Sequence, residues 1–252
     1  MFSVVLSAPS FFNMPPTVSV GGQRVSLHGS GPPVVFSSGL FGLMPRRLYT
    51  SLFRELETDL TLVVLDDTAP VTVDVVEKIS EALRVDQVGF LSHSSFDSRV
   101  LESPRVGSAV LCDPVTIPKM GTGMQLEKQK VSSPSLDALV IKAEHSYDGV
   151  EGTPIPQYLL PEMLTSRELV FPGVGHADVL DEPWADVAVR TFPFMSGARP
   201  AKTRFADWSF RREDPTKLRA ARGEYRGKLG AAIKRHFLKR PEVEVLTNAS
   251  SA

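Results

Sequence analysis

The sequence has little or nothing of several features that would assign it to a specialised class. It contains one cysteine, Cys112, which excludes an internal disulfide and a cysteine-based zinc cluster. No apolar run approaches the roughly 20 residues of a membrane-spanning helix, because even the run LTLVVL is followed by Asp66 and Asp67. The first 20 residues carry no charged side chain and therefore lack the basic start of a secretory signal. We expect a soluble intracellular protein, with plastid and cytoplasm both open.

The net charge of −1 hides an asymmetry along the chain. Residues 199–240 contain 14 Lys or Arg against 4 Asp or Glu, and the remainder is correspondingly acidic. A basic surface attracts anionic membranes and nucleic acids. These charges are interleaved with an apolar stripe of helical period, so we interpret them mainly as the solvated outer face of a helix. Peripheral contact with a membrane surface stays open, and no nucleic-acid partner is expected.

Apolar runs and breakers alternate in a way that is typical of α/β proteins. The chain is 252 residues long, 42% hydrophobic and 23% charged, which suits one large soluble domain. Apolar runs predict strands at 32–39, 60–67, 87–94, 107–115, 135–146 and 167–180. Amphipathic segments predict helices at 46–57, 71–84 and 217–238. The last helix has an apolar face made of Leu218, Ala221, Tyr225, Leu229, Ala232, Ile233 and Phe237.

This order of elements predicts a mainly parallel, doubly wound sheet flanked by helices, in a single domain over residues 1–252. We expect residues 1–30 to be irregular or an edge strand, and residues 191–214 to form a long loop or partial lid. Ligands and catalytic groups of such sheets lie just beyond the carboxyl ends of the strands. That edge is where functional residues are expected.

A hydroxyl, a carboxylate and an imidazole follow the predicted strands in the order Ser94, Asp113, His176. A serine hydroxyl is a weak nucleophile until an imidazole accepts its proton, and a carboxylate holds that imidazole in the right tautomer. The stretch VGFLSHSSF puts Ser94 where a strand gives way to a helix-forming segment, as in a nucleophile elbow. We therefore predict Ser94 as nucleophile, His176 as base and Asp113 as acid. Ser95 stays open as an alternative nucleophile.

The surroundings of this set suggest how a substrate would be held. The oxyanion that forms in acyl transfer needs two backbone N–H donors, and we predict Ser95 and Leu40 for them. We expect no metal, because the carboxylates of Asp178 and Asp181 beside His176 are more typical of local hydrogen-bond partners. Apolar residues near the presumed site would suit a hydrophobic substrate, namely Phe41, Met44, Phe96 and Met120.

Three segments resemble chlorophyllases. AVLCDPVTIPKMG (109–121) is similar to their apolar D-P-V segment, GHADVLDE (175–182) to their G-H-x-D-x-L-D segment, and YRGKLGAAIKRHFL (225–238) to their closing helix. The resemblance implies an α/β-hydrolase that cleaves the phytyl ester of chlorophyll to chlorophyllide and phytol, without metal or organic cofactor. It assigns the triad to the same three residues. Asp148 is the alternative acid, because many α/β-hydrolases take it from the loop after the next strand.

The elbow departs from the G-H-S-x-G-G of chlorophyllases. The stretch SHSSF keeps His93, which we interpret as a structural residue that holds the elbow, and has Ser92 and Phe96 where glycines are usual. Two other functions therefore stay open. One is an esterase, lipase or acyltransferase acting on another lipophilic ester. The other is a hydrolase-fold protein with weak or no activity that binds a pigment, a lipid or a partner.

Overall fold

The central feature of the protein is an eight-stranded sheet. In a computed structural model, the described residues are 16–39, 42, 44–65, 69–116, 119–120, 126–127, 130–131, 136–144, 162–163, 166–185, 187 and 215–239. Their strands are β1 (Thr17–Val20), β2 (Gln23–His28), β3 (Pro33–Ser37), β4 (Thr61–Leu65), β5 (Val88–Ser95), β6 (Val106–Val115), β7 (Lys119–Met120), β8 (Leu126–Glu127), β9 (Lys130–Val131), β10 (Asp137–Ala143), β11 (Glu162–Met163) and β12 (Arg167–Phe171).

The large sheet has the strand order β1-β2-β4-β3-β5-β6-β10-β12. Strand β2 pairs antiparallel with both β1 and β4, and every other pair in this sheet is parallel. The hairpin of β1 and β2 therefore forms one edge of this sheet. The remaining short strands form two small sheets, β7 with β8 and β9 with β11.

Helices cover both faces of the large sheet. They are a 3₁₀ turn (Arg46–Tyr49) leading into α1 (Thr50–Leu56), α2 (Val73–Leu83), a second 3₁₀ turn (Ser98–Glu102) and α3 (Pro215–Phe237). One buried cluster joins the sheet to α1 and α3, and another joins it to α2 and the second 3₁₀ turn. The predicted fold class, a mainly parallel doubly wound sheet flanked by helices, is confirmed.

The strands alternate between these two cores. In β3, Val34 and Phe36 face the cluster under α1 and α3, whereas Val35 faces the cluster under α2. All three side chains are buried, which explains why the central strands are near-continuous apolar runs. Helix α2 begins after Thr72, whose side chain accepts a hydrogen bond from the Val75 N–H.

Helix α3 confirms the predicted helix but corrects its orientation. Tyr225, Leu229, Ile233 and other apolar residues are buried as predicted, whereas Ala221 is exposed. Arg222 takes the buried position and is only 1% exposed. Arg226 and His236 are buried as well. The interpretation of the basic segment as a solvated face is therefore wrong for Arg222 and Arg226. Arg222 pairs with Asp178 and Glu182, and Arg226 donates to the Leu180 carbonyl inside the protein.

The segment 167–180 also differs from the prediction. Strand β12 ends at Phe171, and the residues after it form turns, with Gly173 in the left-handed region (φ 69°). These turns carry His176 over the carboxyl edge of the sheet. Among the helices of the described ranges, none is long and apolar enough to span a membrane. Residues 191–214, predicted as a loop or lid, lie outside the described residues.

Candidate active site

Ser94 occupies a strained turn at the carboxyl edge of the sheet. Its φ is 63°, a left-handed value that is uncommon for a residue with a side chain. Strand β5 pairs regularly with β6 from Gly89 to His93, and the pairing resumes out of step at Ser95. A strained serine at the end of a central parallel strand is the geometry of a nucleophile elbow.

His176 reaches this serine from the turns after β12. Its Nε2 lies 2.9 Å from Ser94 Oγ, within hydrogen-bond distance. Burial lowers the pKa of His176 to about 4, so the imidazole is neutral at neutral pH. The carboxylate of Asp113 beside Nδ1 favours the proton on Nδ1. The free Nε2 then accepts the hydroxyl proton of Ser94.

Asp113 lies behind His176 at the end of β6. The distance from its Oδ2 to His176 Nδ1 is 3.9 Å, too long for a hydrogen bond but short enough for attraction to an imidazolium. Its Oδ1 accepts a 2.7 Å hydrogen bond from the buried N–H of Ala143 on β10. Asp113 also has a left-handed backbone, with φ 45°. The carboxylate is thus anchored on one oxygen and faces the imidazole with the other.

A second histidine, His93, is enclosed beside the triad. Its Nε2 donates to the carbonyl of His176 (3.0 Å), since a carbonyl can only accept. Its Nδ1 therefore accepts from the hydroxyl of Tyr49 (2.8 Å). The Tyr49 oxygen in turn accepts from the N–H of Gly39 (3.1 Å) in the loop after β3. Four groups from separate elements are joined in one hydrogen-bonded line.

The turns that carry His176 are held by helices α1 and α3. Asp178 accepts hydrogen bonds from the Gly175 N–H (2.8 Å) and from Arg222 Nε (2.9 Å). Asp181 accepts from the N–H of Ser51, at the start of α1. Both aspartates thus accept hydrogen bonds from distant helices, Asp178 from α3 and Asp181 from α1. Arg226 completes the set by donating to the carbonyl of Leu180 (2.7 Å).

The structure also describes some of the other residues that were predicted to contribute to the site. Ser95 is 8% exposed and stays in the sheet, paired with Val115 after the register shift. Phe96 is in the core with its ring 5.9 Å from that of Phe90, so its interpretation as a substrate contact is corrected. The structure describes the backbone of Met120 but not its side chain. Leu40, Phe41 and Asp148 lie outside the described residues.

Met44 lines a cavity of about 250 Å³. A Cβ added to Gly39 would lie 2.7 Å from Met44 Sδ and 3.4 Å from Ser94 Cβ, so the Gly39 backbone is enclosed between them. Phe36 and Val64 contribute apolar walls to the cavity, and Met44 lines it on the side of the loop. Among the described residues, no member of the triad lines it.

Three side chains could in principle ligate a metal, since donor atoms of His93, Asp113 and His176 lie within 4.8 Å of one another. The hydrogen bonds argue for another use of these atoms. Both ring nitrogens of His93 are engaged, with Tyr49 and with the His176 carbonyl. Nε2 of His176 is engaged with Ser94. These ring nitrogens are therefore engaged within the protein, and the contact between Ser94 and His176 is suited to proton transfer.

The sequence analysis did not predict the supporting roles of three residues, Tyr49, Arg222 and Arg226. Tyr49 stands on the apolar stripe of a helical segment, where a core aromatic is expected. The two arginines belong to a strongly basic segment, where solvated charges are the rule. A usable signal was the apolar face of α3, because Arg222 and Arg226 stand directly beside Ala221 and Tyr225.

No protein-family model and no curated protein matches the chain. Among solved structures, an alpha/beta hydrolase fold protein from Burkholderia ambifaria is 12% identical, with 71% of this chain and 97% of that chain covered and a TM-score of 0.46. A serine hydrolase involved in carbazole degradation is 15% identical, with 71% and 96% covered and a TM-score of 0.45. An epoxide hydrolase of Vigna radiata is 21% identical over 43% of this chain and 41% of that chain, with a TM-score of 0.31. These neighbours are α/β-fold hydrolases, and at such low scores the likeness carries no argument about reaction or substrate.

Proposed function

We propose that the protein is a serine hydrolase that cleaves a carboxylic ester through an acyl-enzyme on Ser94. The observation that carries this proposal is the 2.9 Å contact between Ser94 Oγ and His176 Nε2 on a strained strand-end turn. A neutral imidazole at this distance can accept the serine proton as the oxygen attacks an ester carbonyl. The buried carboxylate of Asp113 supports the same role.

The proposed reaction has two halves. In the first, Ser94 Oγ bonds to the ester carbon while His176 takes its proton, and the imidazolium then returns that proton to the departing alcohol. In the second, His176 activates a water that releases the acid and regenerates the serine. The charge on Asp113 stabilises the imidazolium in both halves, and the N–H groups of Ser95 and Leu40 are the proposed donors to the oxyanion.

The finer proposal is a chlorophyllase-like reaction on the phytyl ester of chlorophyll. It is supported by the resemblance of the segments 109–121, 175–182 and 225–238 to chlorophyllases. A different lipophilic ester, or acyl transfer to an alcohol in place of water, uses the same three residues. Hydrolysis of chlorophyll a, measured as release of chlorophyllide and phytol beside a series of p-nitrophenyl esters, separates these substrates.

The test of the reaction class is covalent labelling with a fluorophosphonate, followed by mass-spectrometric mapping of the modified residue. We expect the wild-type protein to be modified on Ser94, and the Ser94→Ala variant to be neither labelled nor active. The Ser95→Ala variant is the matched control, because it keeps the nucleophile and the Ser95 backbone N–H. Modification of Ser95 in the wild type would transfer the role of nucleophile to the neighbouring serine.

A second candidate is a hydrolase-fold binding protein with weak or no activity. Two observations favour it: the 3.9 Å gap between Asp113 and His176, and the 3₁₀ turn Ser98–Glu102 where a helix normally follows the nucleophile. Absence of labelling by the fluorophosphonate, together with tight binding of chlorophyll or a lipid to the folded protein, would select this candidate.

A further inference from the structure

The line of hydrogen bonds through Tyr49 and His93 connects the loop after β3 with the turns that carry His176. Gly39 belongs to the loop after β3, immediately before Leu40, the proposed oxyanion donor. At the other end, His93 holds the backbone carbonyl of His176. We infer that Tyr49 and His93 are positioning residues that set the oxyanion loop and the catalytic histidine relative to Ser94. This inference rests on the proposed serine-hydrolase function.

The proton positions along the line follow from the acceptor at its end. The His176 carbonyl accepts only, so Nε2 of His93 carries the proton and Nδ1 is bare. Tyr49 therefore gives its single hydroxyl proton to Nδ1, and its oxygen accepts the Gly39 N–H. Met44 Sδ, at 3.7 Å, is another acceptor within reach of this hydroxyl, but a thioether is the weaker acceptor. A hydrogen bond reversed at any point would leave a buried donor or acceptor without a partner.

The line is closed off from water. Tyr49 is 0% exposed and His93 is 3% exposed. Burial raises the pKa of Tyr49 and lowers the pKa of His93 well below its usual range, so both stay neutral at neutral pH. The Tyr49 and His93 rings pack edge to face at 5.6 Å, and the His93 ring lies 4.8 Å from that of His176. A fixed neutral imidazole beside the catalytic base holds it without adding a competing charge.

His93 can position the site because it is the residue directly before Ser94 in the sequence. His93 directly precedes the strained Ser94, so a bond from its ring to the His176 backbone ties the base to the nucleophile's own strand. The Tyr49 hydroxyl ties the oxyanion loop to the same ring. One imidazole thus links the strand of Ser94 both to the backbone of His176 and, through Tyr49, to the Gly39 N–H.

Three variants test the inference. Tyr49→Phe removes the bonds to Gly39 and His93. His93→Gln retains a donor near the His176 carbonyl and loses the acceptor for Tyr49, whereas His93→Asn retains that acceptor and loses the donor. Ser80→Ala is the matched control, since it removes another buried hydroxyl, bonded to the Val85 carbonyl, far from the site.

We expect Tyr49→Phe and His93→Asn to lower kcat on a p-nitrophenyl ester, and the labelling rate of Ser94, by about 10- to 100-fold, with KM within about twofold. We expect a smaller loss in His93→Gln, because the link to His176 survives. Ser80→Ala should stay within about twofold of wild type even where its thermal stability falls. Rates in the three site variants that match those of Ser80→Ala would overturn the inference.

Nitrogen NMR of the histidines tests the same line without catalysis. In the wild type we expect His93 as the neutral Nε2–H tautomer between about pH 6 and 9, and altered ring nitrogen shifts in Tyr49→Phe. A His93 protonated on Nδ1 would overturn the inference. Failure of wild-type labelling with the expected tautomer present would instead refute the serine-hydrolase proposal, so the two failures are distinguishable.

Discussion

Ser94 and Asp113 adopt left-handed backbones at the ends of neighbouring strands, with φ of 63° and 45°. They meet where the pairing of β5 with β6 becomes irregular, between His93 and Ser95 on the first strand. A residue with a side chain is strained in this region, so the structure stores energy at the two positions proposed for nucleophile and acid. A substitution that relieves this strain should therefore raise stability while it lowers activity.

The strain at Ser94 predicts that Ser94→Gly stabilises the protein. Glycine adopts a positive φ without the steric cost, so we expect the free energy of unfolding to rise by about 1 kcal/mol while activity is abolished. Urea denaturation measures the first effect. Ser95→Gly is the control, since Ser95 is a strand residue without a positive φ, and glycine there should be destabilising. A Ser94→Gly protein less stable than wild type would contradict the strained geometry.

The choice of acid predicts different results for two asparagine variants. Asp113→Asn keeps an oxygen for the Ala143 N–H but loses the charge that stabilises the imidazolium, so we expect kcat to fall by about 10²- to 10⁴-fold. Asp148→Asn should keep near-wild-type activity. Steady-state kinetics on one ester decides between them, and the reverse pattern would assign the role of acid to Asp148.

The low pKa of His176 predicts activity that persists into acid. An ordinary histidine would be half protonated near pH 6.5, whereas His176, with a pKa lowered to about 4 by burial, stays an available base down to about pH 4 to 5. The acid limb of kcat/KM should therefore fall near that pH. An acid limb at pH 6.5 would show that His176 is better solvated than its burial indicates.

The burial of His176 that preserves activity in acid also lowers the stability of the folded protein there. Unfolding restores a normal pKa to His176, and also to His93, so between pH 6.5 and 4 the unfolded chain binds more protons than the folded one. The two buried histidines therefore leave the free energy of unfolding unchanged above pH 6.5. As the pH falls toward 4, they lower that free energy. We expect thermal unfolding temperatures to decrease over this range, and a weaker decrease when His93 is replaced by Gln.

The hydroxyl of Ser92 predicts a stabilising substitution at the elbow. Its Oγ is buried without a hydrogen-bond partner among the described residues, whereas the Oγ of Ser80 is bonded to a carbonyl. We expect Ser92→Ala to raise the free energy of unfolding by about 1 kcal/mol and Ser80→Ala to lower it by about the same amount. Equilibrium denaturation of the pair tests this, and equal losses in both variants would refute it.

The general architecture was accessible from sequence because it depends on repeating patterns. Apolar runs such as 60–67 and strand-end polar residues such as Ser94 and His176 are visible one segment at a time. The partners of Arg222 are not, because a buried ion pair depends on which distant carboxylates the fold brings to one side of a helix. Phe96 was misassigned for a related reason: with a short 3₁₀ turn after the elbow, a bulky ring fits the core where glycine would otherwise be required.

The buried Arg222 of α3 couples two distant parts of the chain. Its guanidinium bonds to Asp178, 44 positions earlier, in the turns around His176. A chain cut before α3 would therefore lack the internal counter-ion of Asp178, and the turns around His176 would lose one of their supports.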